Sequence, residues 1–176
     1  MPKVTIIKSD ITQLAVDAIV NSANPSLLAG SGLCGVIHKE AGPELELECK
    51  KIGGCSKGEA VITKGFDLKA KNIIHAVGPH YIFDGQEREK LLENCYLSIL
   101  RLADCNNIKS LAIPAISTGI YKYPIEEATK IALKTVSDFI ETENKNIEEI
   151  IFVLFSKEVK EVYDILFPYY FLDLLD

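Results

Sequence analysis

Apolar residues fall into two alternating patterns along the chain. Short, nearly continuous apolar runs occupy Lys3–Lys8, Asp17–Asn21, Glu59–Thr63, Asn72–Val77, Ser110–Ile113 and Ile150–Phe155, and each is read as a strand. Runs without polar alternation suit strands covered on both faces, so helices are predicted on both sides of one sheet. Between Glu87 and Asp104 the apolar positions step by four, at Leu91/Leu92, Cys95/Tyr96, Ile99/Leu100 and Ala103, which predicts an amphipathic helix. Another is predicted to open at Pro124, with Glu126 and Glu127 in its first turn and Ile125, Ala128, Ala132, Thr135 and Phe139 on one face. A last, short helix follows Ser156, a good N-cap, with Val159, Val162, Tyr163 and Leu166 turned inward. The aromatic tail Phe167-Pro168-Tyr169-Tyr170-Phe171 reads as an apolar cover for the sheet edge or core.

Composition narrows this picture without changing it. With 176 residues, 48% apolar and 25% charged, the chain has the make-up of a globular protein, which excludes disordered and collagen-like classes. One domain over 1–176 is expected, since no repeat or Pro/Ser-rich linker divides it. No apolar run reaches the roughly 20 residues that cross a bilayer, and the first residues carry no signal-like apolar region, so no membrane partner and a cytoplasmic location are expected. Five cysteines cannot all pair internally, which favours free thiols in a reducing compartment. A net charge of −6 argues against a broad nucleic-acid surface. It does not exclude a small polyanion, because backbone amides at loops and helix starts hold phosphate without Lys or Arg.

Two loops could do so. Gly30-Ser31-Gly32-Leu33-Cys34-Gly35 matches G-x-G-x-x-G literally, but Asn21 to Ala29 separate it from the preceding strand, and no acidic residue ends a following strand about 20 residues on, so the dinucleotide-binding context fails. No Gly-Lys-Ser/Thr is present for a P-loop. Three glycines in six residues still permit positive φ and close backbone approach, with Gly35–Ala41 reading as a helix start; on this segment alone, a phosphate cradle and a ligand-free connection both stay open. The second loop, Pro114 to Tyr121, follows the Leu111-Ala112-Ile113 strand and would by itself be an ordinary turn. Both leave carboxyl ends of strands, where open α/β sheets bind ligands.

The ordered motifs are more specific. Ser9-Asp10-Ile11-Thr12, Val16 to Asn24, the glycine loop, Ile37 to Pro43, Gly58-Glu59-Ala60, Ile74 to Pro79 and Ile116 to Pro124 together resemble a macro domain over nearly the whole chain. The resemblance is closest to the MacroD-type group of mono-ADP-ribosyl and O-acetyl-ADP-ribose hydrolases. It implies an α/β fold, a three-layer α/β/α sandwich with a mixed central sheet, and an ADP-ribose cleft at its top. It implies that Asp10 and the Ile11 amide read adenine, where a turn role for Asp10 is the plainer alternative, and that Phe155 stacks on the base, where a core Phe is the plainer one. Gly32, Leu33, Cys34, Gly35 and Val36 would hold the diphosphate from one side, and Ser117, Thr118, Gly119, Ile120 and Tyr121 from the other. Asn24 would reach the distal ribose, while Asn21 would tie strand to loop by satisfying loop amides. ADP-ribose derivatives and mono-ADP-ribosylated proteins are the implied partners, with no cofactor, no metal and no nucleic acid.

One departure bears on catalysis. In the MacroD-type pattern an aspartate lies ten positions after the second asparagine; here that position is Cys34. A carboxylate is ionised at neutral pH, whereas an ordinary thiol, with a pKa of about 8.5, is mostly neutral and a poor acceptor for orienting water. Losing a general base costs about 10²- to 10⁴-fold in rate, or roughly 3–5 kcal/mol. Some macro domains that resemble this chain in lacking the aspartate still hydrolyse, using water held by the substrate's phosphate and loop amides. The catalytic candidates are therefore Asn24 and Cys34, with a non-catalytic reader as the alternative. Cys34 and His38, four apart, are too few ligands for zinc, and His38, His75 and His80 read as core or surface residues. Lys122, where a glycine commonly follows the aromatic, either faces a bound diphosphate or points to water.

Overall fold

Six strands form one sheet in the order β1-β6-β5-β2-β4-β3. They are β1 (Lys3–Lys8), β2 (Ala18–Ser22), β3 (Ala60–Lys64), β4 (Asn72–Ala76), β5 (Ser110–Ile113) and β6 (Glu149–Leu154). All neighbours are parallel except β3 and β4, so the sheet is mixed, as the resemblance implies. The helices are α1 (Gly32–Ala41), α2 (Pro43–Ile52), α3 (Arg88–Cys105), α4 (Ile125–Thr142) and α5 (Lys157–Tyr170). This computed structural model describes residues 1–172, so the last four residues of the domain expected over 1–176 lie outside it.

The apolar runs are continuous because each strand feeds two cores. Ala18, Val20, Ile74, Ala76, Leu111, Ile113, Phe152 and Leu154 face one side, where α3, α4 and α5 pack. The alternate residues Ile19, Ile73, Ala112 and Val153 face the other, with Ile37 and Ala41 of α1 and Leu45 and Cys49 of α2. Fully burying each large apolar side chain contributes about 1.5–3 kcal/mol, which fixes the register that places the loops at the sheet's edge. All five cysteines are free thiols, and among the described residues no helix is long and apolar enough to cross a membrane.

Several boundaries differ from expectation. α1 begins at Gly32, not Gly35, so most of the glycine segment is a helical first turn rather than a loop. α2 has no counterpart in the hydrophobic pattern, because only Leu45 and Cys49 are buried on it. Its ends are nevertheless encoded, by Pro43 at the start, Glu44 and Glu46 in the first turn, Lys50 and Lys51 in the last, and Gly53 in the left-handed conformation beyond (φ 88°). Pro124 precedes the first helical residue of α4 instead of occupying it. α5 is longer than predicted and absorbs Pro168 near its end, where few intrahelical bonds remain to be lost. The aromatic segment is thus a helix end, pinned by the Ser137 hydroxyl donating to the Tyr170 carbonyl (2.9 Å), with Phe171 buried as a cover on the core.

Candidate functional site

Because β1, β6, β5, β2 and β4 run parallel side by side, the segments leaving their carboxyl ends line up along one edge of the sheet. In spatial order they carry Asp10, Phe155, the 114–124 loop, the 23–31 loop and the 77–84 loop. A cavity of about 240 Å³ opens between the third and fourth of these, at the place where open α/β sheets bind ligands. Ser22, Ala23 and Asn24 line it from the end of β2, Gly30 to Cys34 from the start of α1, and Ala115, Ser117, Gly119, Ile120 and Tyr121 from beyond β5. None of these side chains is charged.

The polarity comes from backbone and from neutral side chains. Ser31 is the N-cap of α1 but makes no side-chain cap bond, so the amides of the first turn, Gly32, Leu33 and Cys34, have no intrahelical acceptor. Gly35 closes the turn with a long bond to the Ser31 carbonyl (3.5 Å). It must be glycine, since a Cβ there would run into the Gly30 carbonyl oxygen. The helix start thus presents unpaired N–H groups and the positive end of its dipole to the cavity wall. Opposite, Ser117 adopts φ 66°, a conformation that costs a non-glycine residue about 1–3 kcal/mol and is concentrated at functional sites. Its hydroxyl is buried with no partner among the described residues. Gly78 permits this arrangement, because a side chain there would collide with Ser117. Tyr121 is half-buried, and burial pushes its phenol pKa up, so it stays a neutral donor.

Below the cavity a hydrogen-bonded chain crosses the sheet. Asn24 Nδ2 donates to the Leu28 carbonyl (3.0 Å), Asn24 Oδ1 accepts from Ser26 (2.6 Å), and Cys34 Sγ donates to the same Leu28 carbonyl (3.6 Å). Asn21, fully buried, extends Nδ2 to Cys34 Sγ (3.8 Å) and to His75 Nδ1 (3.1 Å), and His75 Nε2 meets Thr63 Oγ1 (2.9 Å). Burial first, and the neighbouring His38 second, push the His75 pKa down to about 3, so the ring is neutral and can accept from Asn21. Asn21 does tie elements together, but not by satisfying loop amides as expected: its partners are a buried imidazole and the Cys34 sulfur. Its Oδ1 and both His38 nitrogens are buried without partners among the described residues.

The remaining predicted positions divide. Asp10 is exposed and caps a short 3₁₀ turn (Ile11–Gln13), its Oδ1 accepting from Thr12 N (3.0 Å) and Thr12 Oγ1 (2.6 Å). It is therefore a turn residue that still offers its second carboxylate oxygen to solvent. Ile11 is buried and anchors that turn. Phe155 is 88% exposed at the end of β6, which rules out a core role and leaves a free aromatic face beside the Asp10 turn. Neither Asp10, Ile11 nor Phe155 lines the cavity; they form an open shelf at its β1/β6 end. Gly35, Val36 and Thr118 do not line it either. Val36 sits in the second turn of α1, where helix geometry commits its N–H to the Gly32 carbonyl. Lys122 is exposed at φ 59°, which is why glycine suits that position. Ser22, Ala23, Gly30, Ser31 and Ala115 also line the cavity; they lie within the quoted motifs and loops, but the resemblance gives them no ligand contact of their own, and they contribute shape and backbone. Among the described residues no group of three His, Cys, Asp or Glu side chains is arranged to hold a metal.

Comparison with known proteins gives this site a family. The profile described as Macro domain matches residues 20–132. An Escherichia coli protein named O-acetyl-ADP-ribose deacetylase is 46% identical over 166 residues, covering 92% of this chain and 93% of that protein. The Xenopus laevis protein named ADP-ribose glycohydrolase MACROD2 is 47% identical over 164 residues, covering 92% of this chain but 39% of that longer protein. A solved structure described as Oceanobacillus iheyensis macrodomain with ADP superposes with a TM-score of 0.89 at 39% identity, over 93% of this chain and 89% of that one. On its motifs, its sheet order and these matches, the chain belongs to the macro domain family.

Proposed function

We propose that the chain binds ADP-ribose along this edge and hydrolyses its conjugates, releasing mono-ADP-ribose from acidic side chains of proteins or acetate from O-acetyl-ADP-ribose. The observation that carries the reading is the facing of unpaired α1 amides and the strained Ser117–Tyr121 loop across an uncharged cavity. Such a site suits a diphosphate held by dipoles. The shelf of Asp10 and Phe155 suits adenine, with an acceptor for its amino group and a π-face for its ring. Asn24 lines the end of the cavity away from that shelf, which supports a role for it on the distal ribose. The relatives named as a deacetylase and a glycohydrolase support a hydrolytic outcome.

In this reading Asn24 trades its Leu28 and Ser26 bonds for ribose hydroxyls. The fixed amides would hold the diphosphate so that the ribose carbon bearing the leaving group faces the Cys34 end. Incubation with glutamate-linked mono-ADP-ribosylated protein and with O-acetyl-ADP-ribose tests this. Release of ADP-ribose or acetate above a no-enzyme control is expected, and none from either substrate, despite tight ADP-ribose binding, would refute hydrolysis.

A second reading, a non-catalytic reader, is favoured by Cys34 alone. Its S–H is directed at the Leu28 carbonyl and its sulfur faces the Asn21 amide, so the group that replaces the family's carboxylate is used to tether the loop.

A further inference from the structure

Along the carboxyl edge of the sheet, the segment next to the Asn24 end of the cavity is the 77–84 loop leaving β4, since β4 is the neighbour of β2. The adenine shelf lies at the opposite end, beyond β5 and β6. On the ADP-ribose reading, with the distal ribose at Asn24, the loop nearest to a group attached to that ribose is the one on the β4 side. There the chain presents two adjacent large apolar side chains to solvent, Ile82 (65% exposed) and Phe83 (82% exposed). Scattered single apolar residues on a surface need no explanation, but an adjacent pair on a loop hydrogen-bonded to the cavity-wall residue Tyr121 does.

The loop is built to hold them out. His80 Nδ1 accepts from both the Ile82 and Phe83 amides (3.2 Å each), which fixes the ring and lets it stack on one face of Phe83 (centroids 4.1 Å apart, 23° between planes). Asp84 accepts from the His80 amide (2.6 Å) and is clamped by Lys57 (2.8 Å). Arg88 lies over the Tyr81 ring (3.8 Å to its centroid) and donates to the Tyr81 carbonyl (3.2 Å). The Tyr81 amide donates to the Tyr121 carbonyl (2.9 Å), and the Tyr121 ring packs near His80, so this braced loop is joined to a residue of the cavity wall. A loop of this kind loses little entropy when a partner lies against it, the condition under which exposed apolar surface gives affinity.

We propose that Ile82 and Phe83 form a docking knob for the polypeptide that carries the ADP-ribosyl group, contacting residues that flank the modified side chain. The inference rests on the ADP-ribose reading of the cleft and assigns the cleft's preference to protein-linked over small conjugates. An acetyl group carries no chain beyond its methyl with which to reach the knob, whereas a peptide emerging on the β4 side has residues on both sides of the modified one that can. The apolar, aromatic character of the knob fits side chains and backbone of a protein.

The test compares free ADP-ribose with a peptide bearing ADP-ribose through a non-hydrolysable linkage, titrated into the unmodified protein and an Ile82→Ser/Phe83→Ser variant. Both residues are exposed, so the variant should fold, and circular dichroism and thermal unfolding check that it does. The unmodified protein should bind the conjugate about tenfold more tightly than ADP-ribose, which is about 1.4 kcal/mol for the apolar surface that the peptide covers. The variant should bind the two equally, with its ADP-ribose affinity unchanged. A conjugate-to-free ratio that is the same in both proteins overturns the proposal while leaving the cleft reading intact. Absence of ADP-ribose binding in the unmodified protein overturns both. Sedimentation at increasing concentration covers the other occupant: self-association that the double substitution abolishes would assign the knob to a second copy of the chain and refute a substrate role.

Discussion

Replacing Cys34 by Asp restores a carboxylate at the position where the family pattern carries one, and its consequences follow from the thiol's two neighbours. A carboxylate there accepts a charge-assisted hydrogen bond from Asn21 Nδ2, now 3.8 Å from the sulfur, worth about 1.5–3 kcal/mol. As the third residue of α1 it also gains about 0.3–1 kcal/mol from the helix N-terminus. Against this, it cannot donate to the Leu28 carbonyl as the thiol does at 3.6 Å; that carbonyl keeps its Asn24 Nδ2 donor at 3.0 Å, so the loss is one hydrogen bond of about 0.5–1.5 kcal/mol, to which repulsion between the two oxygens and partial burial of the carboxylate add. The opposing terms are of similar size, so stability should change by less than about 2 kcal/mol, a window typical of single substitutions. Repelled by Leu28 and no longer tethering the loop, the carboxylate should turn toward the cavity that Cys34 already lines. If it then acts as general base, release of ADP-ribose from a glutamate-linked substrate should rise about 10²- to 10⁴-fold, or roughly 3–5 kcal/mol of barrier. ADP-ribose affinity should move by less than about tenfold, 1.4 kcal/mol, since the diphosphate and adenine contacts are untouched. Single-turnover kinetics at saturating enzyme isolate the chemical step, and calorimetry supplies the affinity. Should the unmodified chain already match the variant's rate, the absent carboxylate is no bottleneck and the reasoning fails.

Three further outcomes are expected. His75 is held neutral in the fold with its pKa pushed down to about 3, whereas the unfolded chain protonates it below its ordinary 6.5. Stability should therefore be level above pH 6.5 and fall as pH drops toward 3, by about 1.4 kcal/mol per unit from this residue, with His38 shifted in the same direction by its own burial. Urea midpoints measured across that window check it, and a His75→Gln variant that kept the full slope would argue against His75 as its source. Gly35→Ala should displace the Gly30 carbonyl, lower stability by about 1–3 kcal/mol as overpacking does, and weaken ADP-ribose binding through the disturbed α1 amides; unaltered affinity would remove those amides from the site. Phe155→Ala should leave thermal unfolding unchanged, because the ring is exposed, while weakening ADP-ribose by the roughly 1–3 kcal/mol of a base–aromatic stack; equal binding would place adenine elsewhere.

The parts of the fold legible in the sequence were those set by local chemistry. Strands showed as apolar runs because both faces of the sheet are covered, and their predicted ends fall within a residue of those observed. α3 and α4 showed because their buried residues repeat every three to four positions. α2 did not, since Leu45 and Cys49 make too narrow a stripe, although its Pro43 and Gly53 punctuation was there to be read. At the site, both loops and Asn24 came from motif order. The partners of Asn21 did not, because His75 and Thr63 reach it only through the pairing of β2 with β4 and of β4 with β3. The alignment of Asp10, Phe155 and the two loops along one edge likewise depends on strand order, which the sequence pattern leaves undetermined.

The central claim is that an uncharged cavity holds a diphosphate through backbone amides. Calorimetric titration with ADP-ribose at low and high salt tests it most directly. One saturable site is expected, with an affinity that changes by less than about threefold as salt rises, because no Lys or Arg pairing is there to be screened. Absence of saturable binding, or an affinity that collapses with added salt as it does for a site built from cations, would contradict the account.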